Sequence, residues 1–443
     1  MKQFKLIVLL CLVVVMALTA VACGGSETTG TTAATTTEAD VTTAPAETTA
    51  APTETTPVTT TAPVTTTAVV TTPATPETTG PAVISSMKIG ETPISDYVIV
   101  YAKSPYEVYT KIADKKPYFP VYDFDHESAN RLSDLIFAAT GVRLKVVQDT
   151  KTTATANEIL VGETNRTLTG GTDISKLKSD DYVVNVVGTK LVICGGEFGT
   201  TWHALDYLEA QFAEKLANKE TAYTFGADYA YAGTHHLTVI GCIGDSITQG
   251  VGASNQEMFS YPAQMGRLLW KDAIVHNFGD SGSSMRDDLD AYTNTQAYTN
   301  AVNAAASADI YTVMLGTNDT WQDTTSWTDS DTELYNNSCL GIMESLVKKN
   351  ANLKFVLANC PAYFGTATNI ATAKTRQIQA ALVPIVNEAG YPTTFYDTYT
   401  ATKGLRTYFP DQVHPNDMGH LKMAQAFAEY LQTLITSSQD ANQ

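Results

Sequence analysis

The chain has 443 residues, with 46 acidic and 28 basic side chains and a formal net charge of −18. This charge argues against a nucleic acid or an anionic membrane surface as partner, because both are bound by basic patches. The length exceeds that of one ordinary domain, and the composition changes abruptly along the chain. Both features indicate several sections with different roles.

Residues 1–22 have the composition of an export signal. Lys2 and Lys5 precede an apolar run that ends at Ala22, and small residues follow it. A basic tip, an apolar segment and small residues at a cleavage site are typical of secretory signals. A retained membrane anchor is the alternative, although the run is only marginally long enough to span a bilayer.

Cys23 stands at the end of this run and before Gly-Gly-Ser. It resembles the lipidated cysteine of bacterial lipoproteins, which implies a lipid anchor as the only contact with the membrane. Ala20 departs from that family, which has a larger aliphatic residue there, so cleavage by the ordinary signal peptidase is the alternative. The expected location is therefore the bacterial cell surface or the surrounding medium.

Residues 23–82 are predicted to be a disordered stalk. From Ser26 to Gly80 nearly half of the residues are threonine, and none is basic. Such a segment has no periodic apolar face to bury and cannot offset the entropy lost on ordering. We expect it to hold the folded sections away from an anchoring surface.

Residues 83–232 are predicted to form a small α+β domain. In chain order, the patterns predict a strand at Ser95–Ala102, a helix at His126–Thr140, strands at Leu144–Gln148 and Glu158–Gly162, a hairpin of Asp181–Val187 and Lys190–Gly195, and a helix at Thr201–Leu216. The segments Asn157–Arg166 and Val192–Thr200 resemble the non-catalytic accessory domain that precedes the catalytic domain in some bacterial α-glucuronidases and β-hexosaminidases. Thr200 is expected to cap the second helix.

Two further features of this part of the chain have simple interpretations. His235 and His236 lie at the junction with the next section, and nothing nearby completes a metal site, so a solvated linker is expected. The four cysteines beyond Cys23 have no close or repeated spacing. They are predicted to be buried free thiols rather than disulfides or metal ligands.

Residues 233–437 alternate between short apolar runs and helical patterns, and a tail of residues 438–443 follows. The five predicted strands are Leu237–Ile243, Ala273–Phe278, Asp309–Leu315, Leu353–Asn359 and Thr393–Tyr396. The four predicted helices with two bounds are Ser260–Trp270, Thr332–Asn350, Ile370–Ala389 and Asn416–Ile435, and a further helix ends near Ala308. Strands that alternate with helices predict a parallel sheet covered on both faces. The chemistry of such folds lies beyond the carboxyl ends of the strands.

The predicted strand ends carry the parts of a serine hydrolase. Ser246 follows the first strand as a candidate nucleophile, and its N–H, the N–H of Gly282 and the side chain of Asn318 are candidate oxyanion donors. His414 is the candidate base, and Asp411 can orient it. Each residue alone also has a structural interpretation, as a turn, a helix cap or a rigid loop. Their combination at the strand ends favours catalysis.

Three motifs, Gly-Asp-Ser-Ile-Thr, Gly-Thr-Asn-Asp and Asp-x-x-His-Pro, resemble those of the SGNH subgroup of the GDSL-type hydrolases. The resemblance implies a flavodoxin-like three-layer α/β/α domain with a five-stranded parallel sheet. It also implies an esterase with a Ser-His-Asp acyl-enzyme mechanism that needs no metal or cofactor. Ile247 replaces the leucine often found there. No Gly-x-Ser-x-Gly elbow surrounds Ser246, which argues against the ordinary α/β-hydrolase class. Asp319 is expected to form a turn and His420 to lie on a helix surface.

An exported esterase beside a glycosidase-type domain is expected to remove acetyl groups from an extracellular polysaccharide such as xylan or pectin. Tyr261, Trp321 and Trp327 lie near the predicted active face and could stack on sugar rings, with ordinary packing as the alternative.

Two other functions compete with this one. A lipid esterase or lysophospholipase is the first alternative, but the polar segment Thr317–Asp331 does not suit an acyl chain. A catalytically inert carbohydrate-binding surface protein is the second.

Overall fold

The structure is a computed structural model that describes residues 83–106, 123–171, 173–321, 327–365 and 369–440. For residues 320–321, 369–374 and 437–440 it describes the backbone only. The predicted signal, Cys23 and the threonine-rich stalk lie outside the described residues.

Two long helices and nine strands make up the N-terminal part of this structure. They are β1 (Ser86–Ile89), β2 (Thr92–Pro93), β3 (Val98–Tyr101), α1 (Phe124–Thr140), β4 (Val146–Gln148), β5 (Glu158–Val161), β6 (Asp181–Val187), β7 (Lys190–Gly195), α2 (Phe198–Ala217), β8 (Ala222–Phe225) and β9 (Ala230–Thr234). A six-stranded sheet has the order β4-β3-β5-β7-β6-β9, and a three-stranded sheet has the order β2-β1-β8. The hairpin of β6 and β7 is antiparallel, as the sequence predicts.

Capping residues mark the start of both helices and the end of α1. Asp123 caps α1 by accepting a hydrogen bond from the N–H of His126, and Gly141 ends the helix with a φ of 76°. Glu197, and not Thr200, is the N-cap of α2. Thr200 instead occupies the third position of a capping box, so the prediction of its role was wrong by three residues.

Asp125, in the first turn of α1, is a buried carboxyl group in an unfavourable environment. Its side chain is 5% exposed, and its Oδ1 has no hydrogen-bond partner within the described residues. Burial, together with the nearby Asp123 and Asp149, raises the pKa of Asp125 to about 8. The carboxyl group therefore favours its protonated form in the folded protein.

This pKa predicts a pH dependence of stability that Asp125→Asn removes. The pKa rises on folding from 3.8 to about 8. Between these values the native state holds more protons, so the free energy of unfolding falls by up to about 1.4 kcal/mol per pH unit as pH rises. Chemical unfolding of the full chain at pH 5, 7 and 9 should show the variant gaining stability relative to wild type as pH increases.

Asp134→Asn is the matched control for this prediction. Asp134 lies on the same helix, but its side chain is 68% exposed and pairs with Arg143. A surface ion pair contributes little to stability, so this variant should follow the wild-type pH profile. Parallel profiles for wild type and Asp125→Asn would contradict the prediction.

The C-terminal part contains five strands and nine helices within the described residues. They are β10 (Thr238–Gly244), α3 (Ser246–Gln249), α4 (Gln256–Phe259), α5 (Tyr261–Leu268), β11 (Ala273–Gly279), α6 (Gln296–Ala304), β12 (Ile310–Met314), α7 (Thr317–Trp321), α8 (Asp329–Val347), β13 (Lys354–Ala358), α9 (Asn369–Glu388), β14 (Thr393–Tyr396), α10 (Thr398–Thr402) and α11 (Asp417–Asp440). Residues 438–440, predicted as part of a tail, continue α11.

The five strands form one parallel sheet with the order β11-β10-β12-β13-β14. Helices α6, α8 and α9 pack on one face around Leu353 and Phe355, and α5 and α11 pack on the other around Ile240. This is the predicted three-layer α/β/α domain with flavodoxin-like strand order. The order reverses at β10, and ligands of open α/β sheets bind beside such a reversal.

The two parts are joined directly, and the expected solvated linker is a structured contact. The ring of His236 bridges the two parts, with Nδ1 3.0 Å from Asp180 and Nε2 3.1 Å from Asp309. The His235 ring stacks on His203 at 3.4 Å. Burial opposes the charge on His236, but the two aspartates raise its pKa above the usual value.

Aromatic rings and an ion pair extend this contact between the two parts. Phe124 stacks on Trp270 with ring centroids 4.6 Å apart, and Lys271 Nζ lies 2.7 Å from Glu127. The same ammonium group lies 3.7 Å from the centre of the Trp202 ring. These contacts add to the direct chain connection between the two parts.

The four cysteines beyond Cys23 are buried free thiols, as predicted. No helix within the described residues is long and apolar enough to cross a bilayer.

Candidate active site

The carboxyl ends of three neighbouring strands define the site. Gly244 at the end of β10 is in register with Gly279 of β11 and with Met314 of β12. The loop after β11 is held at this same end of the sheet, because the N–H of Asp280 donates to the carbonyl of Gly244 over 3.0 Å. A side chain at Gly244 would collide with Thr248 and with the carbonyl of Met314, so the turn out of β10 requires glycine.

Ser246 is the first residue of the short helix α3. Asp245 caps the helix by accepting the N–H of Ile247 at 3.0 Å. The Ser246 side chain is 5% exposed, and its Oγ lies 2.8 Å from Nε2 of His414. Burial raises the pKa of Asp245 to about 6, although the N–H of Ile247 and the hydroxyl of Thr317 act in the opposite direction.

A short loop before α11 holds His414 against Asp411. Nδ1 of the ring lies 2.6 Å from Oδ2 of Asp411, and Oδ1 accepts the backbone N–H groups of Val413 and His414 at 2.9 and 2.6 Å. Gln412 has a φ of 74°, which allows the chain to fold back on the carboxylate. Because Nδ1 faces a carboxylate it carries the proton, and Nε2 is left to accept the hydrogen bond from Ser246.

Hydrogen bonds keep Asp411 ionised at neutral pH. Its burial alone would raise the pKa, but the ring and backbone N–H of His414, with the N–H of Val413, lower the pKa below the usual range. The carboxylate is half exposed. It can therefore orient the imidazole and stabilise its protonated form.

Gly282 and Asn318 extend the site past the end of β11 and β12. Gly282 has a φ of 87°, and the space where a side chain would project is open. The Asn318 side chain donates to the carbonyl of Ser283 over 2.8 Å, which links the two loops. An amide group has two N–H donors, so the second one stays available to a ligand oxygen.

Asp319 fixes the loop after β11 through hydrogen bonds to its backbone, a role that the sequence did not predict. It is fully buried and accepts the N–H groups of Met285 and Arg286, each at 2.9 Å. Burial raises the pKa of Asp319 to about 6, against the effect of these two hydrogen bonds. It is thus more than the expected turn former. Its position directly after Asn318 in Gly-Thr-Asn-Asp was the available signal.

Two of the three aromatic residues predicted to stack on sugars, Tyr261 and Trp327, pack against other parts of the protein. Tyr261 is fully buried, and its ring stacks on Phe427 at 5.1 Å, so the prediction for Tyr261 was wrong. Trp327 is partly buried, and its Nε1 donates to Thr332 Oγ1 at 3.0 Å, which favours the packing alternative. The side chain of Trp321 lies outside the described residues.

His420 is also placed differently from the prediction. It is fully buried rather than on a helix surface, because α11 packs its first turns against α5. Its Nδ1 accepts the N–H of Tyr261 at 3.3 Å, and burial lowers its pKa to about 4. A neutral, structural imidazole follows from these contacts.

Within the described part of the chain, no group of three or more histidine, cysteine, aspartate or glutamate side chains is arranged to hold a metal ion.

Residues 242–422 match the model of the GDSL-like Lipase/Acylhydrolase family. Among curated proteins, an acetylxylan esterase of Xylanibacter ruminicola is 38% identical over 88 residues, which cover 19% of this chain and 18% of that protein. The matched segment thus spans less than a fifth of the length of this relative.

Several solved structures are also similar to this chain. An aryl esterase of M. smegmatis is 18% identical, with a TM-score of 0.34 and coverage of 44% of this chain and 99% of its own. An acetylxylan esterase of Geobacillus stearothermophilus is 21% identical (TM-score 0.33, coverage 43% and 93%). A family two carbohydrate esterase of Clostridium thermocellum is 19% identical (TM-score 0.36, coverage 47% and 69%).

Proposed function

We propose, from the premise that residues 242–422 form a domain of the GDSL-like lipase/acylhydrolase family, that this domain cleaves esters through a serine acyl-enzyme. The observation that carries the proposal is the chain of two short contacts from Ser246 Oγ through the ring of His414 to Asp411, at 2.8 and 2.6 Å. Nucleophile, base and orienting carboxylate are the parts that such chemistry needs.

The proposed reaction has two symmetrical halves. Ser246 Oγ attacks the carbonyl carbon while its proton passes to Nε2 of His414, and the resulting oxyanion receives hydrogen bonds from the donors at Ser246, Gly282 and Asn318. The C–O bond to the alcohol then breaks, and the alcohol leaves with the proton from Nε2. Water, deprotonated by the same nitrogen, attacks the acyl-enzyme and releases the acid and free Ser246.

We propose further that the acyl group is acetyl and that the alcohol is a carbohydrate. The partial similarity to an acetylxylan esterase supports this substrate. So does the loop beside Gly282, where the polar side chains of Asp280 and Ser281 are partly exposed and exposed, respectively. An acyl chain of a lipid would need an apolar surface near the nucleophile.

Acetate release by the full chain tests this proposal. Acetylated xylan, acetylated pectin and a lysophospholipid are offered separately, to wild type and to Ser246→Ala. Acetate from a polysaccharide that disappears in the variant is the expected result. Fatty acid from the lysophospholipid without acetate would preserve the mechanism and refute the carbohydrate substrate. Absence of hydrolysis of every ester, with retained binding to polysaccharide, would favour a catalytically inert carbohydrate-binding protein.

Asn318→Ala should lower kcat by about 10²- to 10³-fold, the usual cost of one oxyanion donor. KM should change little, because the donor acts on charge that develops in the transition state. Steady-state kinetics on 4-nitrophenyl acetate measure both constants. Asn336→Ala, on α8, is a control of the same residue type, and it should keep a kcat near the wild-type value. A rise in KM at constant kcat would contradict the role of Asn318.

We also propose that the protein is exported and attached to the cell surface by a lipid at Cys23. The supporting observations are the apolar run before Cys23 and the threonine-rich stalk after it. Cys23→Ala should release the protein from the membrane fraction into the medium. Equal membrane association of variant and wild type would refute the lipid anchor.

A further inference from the structure

We infer that Asp417 is a positioning residue of the proposed esterase: through Ser254, it holds the loop that follows the nucleophile against His414. The inference rests on the proposed function and adds a residue to it. The Ser254 N–H donates to Oδ1 of Asp417 at 2.6 Å, and the Ser254 hydroxyl donates to Oδ2 at 2.8 Å. Asp417 is 4% exposed, so water competes little for these two charge-assisted hydrogen bonds.

The loop of residues 250–255 begins at the nucleophile. The N–H groups of Gly250 and Val251 both donate to the carbonyl of Ser246, at 3.0 and 2.9 Å. The start of the loop is therefore fixed to the residue that carries the nucleophile. Ser254 lies near the other end of the loop, where its two hydrogen bonds connect it to α11.

The middle of this loop lies directly against the proposed base. Gly252 has a φ of 92°, and a Cβ there would lie 2.4 Å from the carbonyl oxygen of Pro415 and 3.1 Å from Cβ of His414. A side chain at this position would force the two segments apart, so the close approach requires glycine. A displacement of the loop would therefore displace His414 as well.

The contact between Ser254 and Asp417 closes a cycle that contains the catalytic hydrogen bond. Ser254 comes eight positions after Ser246, and Asp417 comes three positions after His414. On the opposite side of the cycle, Ser246 Oγ lies 2.8 Å from His414 Nε2. Holding both sides restricts the distance between nucleophile and base, and a misplacement of about 1 Å can lower a rate by about 10²-fold.

Helix capping does not account for the contact with Ser254. Asn416 caps α11, because its Oδ1 accepts the N–H groups of Met418 and Gly419, each at 3.1 Å. Asp417 is the next residue, and its two carboxylate oxygens both bond to the loop. The contact therefore joins two segments of the site rather than the turns of one helix.

His420 connects the same helix to the same loop a second time. Its Nδ1 accepts the N–H of Tyr261, so Nε2 carries the proton and donates to the carbonyl of Val251 at 3.3 Å. Two buried side chains of α11 thus hold the loop on the side of His414.

Kinetics of the full chain on 4-nitrophenyl acetate test the inference. Asp417→Ala should lower kcat about 10- to 10²-fold with little change in KM, because the contact acts on the alignment of Ser246 and His414. Asp417→Asn should stay within about threefold of wild type, since an amide can accept the Ser254 N–H and donate to its hydroxyl. Ser254→Ala removes one of the two bonds from an exposed loop residue, and it should lower kcat about threefold to tenfold even if Asp417→Ala does not fold.

A second background shows whether Asp417 acts through His414. In His414→Ala assayed with added imidazole, the further change Asp417→Ala should cost less than about threefold, because free imidazole is not positioned by the loop. A general loss of structure would instead lower the rate equally in both backgrounds. The double variant Ser254→Ala, Asp417→Ala should be no slower than Asp417→Ala, because the contact is already lost.

Gln432→Ala is the matched control. Gln432 also lies on α11, and its side chain donates to Asp272 at 3.2 Å, next to the amino end of β11. This variant should keep the wild-type kcat. A wild-type kcat in Asp417→Ala or Ser254→Ala, or equal losses with and without His414, would overturn the inference. The proposed function stands in those cases if hydrolysis still depends on Ser246, whereas absence of Ser246-dependent hydrolysis by wild type overturns both.

Discussion

Replacing Ser246 with alanine is expected to lower kcat on 4-nitrophenyl acetate by about 10⁴- to 10⁶-fold, the usual loss when a serine hydrolase loses its nucleophile. The reason is that the variant has no atom that can form the acyl-enzyme, while the oxyanion donors and the binding surface persist. Ser246 is almost fully buried, and within the described residues its hydroxyl has one hydrogen-bond partner to lose, His414 Nε2. The unfolding midpoint should therefore stay close to that of wild type.

Ser345→Ala provides the comparison for this loss. Ser345 is partly exposed on α8 and donates to the carbonyl of Gly341 at 2.9 Å. Its replacement should leave kcat unchanged. A covalent label from a fluorophosphonate should modify wild type and Ser345→Ala but not Ser246→Ala. Retention of activity within about tenfold of wild type by Ser246→Ala would exclude Ser246 as the nucleophile.

His414→Ala is expected to cause a loss of similar size, about 10⁴- to 10⁶-fold in kcat, because Ser246 then has no base. The residual rate should rise with pH, since hydroxide can replace the missing base. Added imidazole should restore part of the activity by entering the space left by the ring. These two readouts distinguish loss of a base from a general loss of structure.

Two further variants calibrate the effect of His414→Ala. Asp411→Asn should cost less, about 10²- to 10³-fold, because this half-exposed carboxylate orients the ring and water can replace it in part. His276→Ala removes an exposed imidazole from β11 and should keep wild-type activity. A His414→Ala enzyme without imidazole rescue and with a flat pH profile would argue against a base at this position.

The parallel sheet could be predicted from the sequence because its central strands β10, β12 and β13 are short, mainly apolar runs. Strand β14 has the predicted bounds Thr393–Tyr396, and β10 is displaced by one residue from the predicted Leu237–Ile243. The rule that chemistry lies beyond strand carboxyl ends then predicted that distant motifs would meet. The structure brings Ser246 and His414, 168 positions apart, to 2.8 Å.

Burial that depends on tertiary packing was not predictable in this way. Tyr261 and His420 each lie on an amphipathic helix, where a residue near the edge of the apolar face can point either way. Packing of α5 against α11 buries both residues, because the Tyr261 ring then stacks on Phe427 and the Tyr261 N–H donates to His420. The burial of Asp125 and Asp319 was not predictable either, since charged residues are ordinarily expected at the surface.

The short connection between β9 and β10 determines how the protein can be divided into fragments. Only residues 235–237 separate Thr234 of one sheet from Thr238 of the next, and His236 is held on both sides. Proteases cut at exposed, loosely held chain, so limited digestion should leave the two parts as one fragment. A recombinant piece that starts at residue 233 would uncover Trp270, which now stacks on Phe124. Such a piece should aggregate more readily than the two parts expressed together.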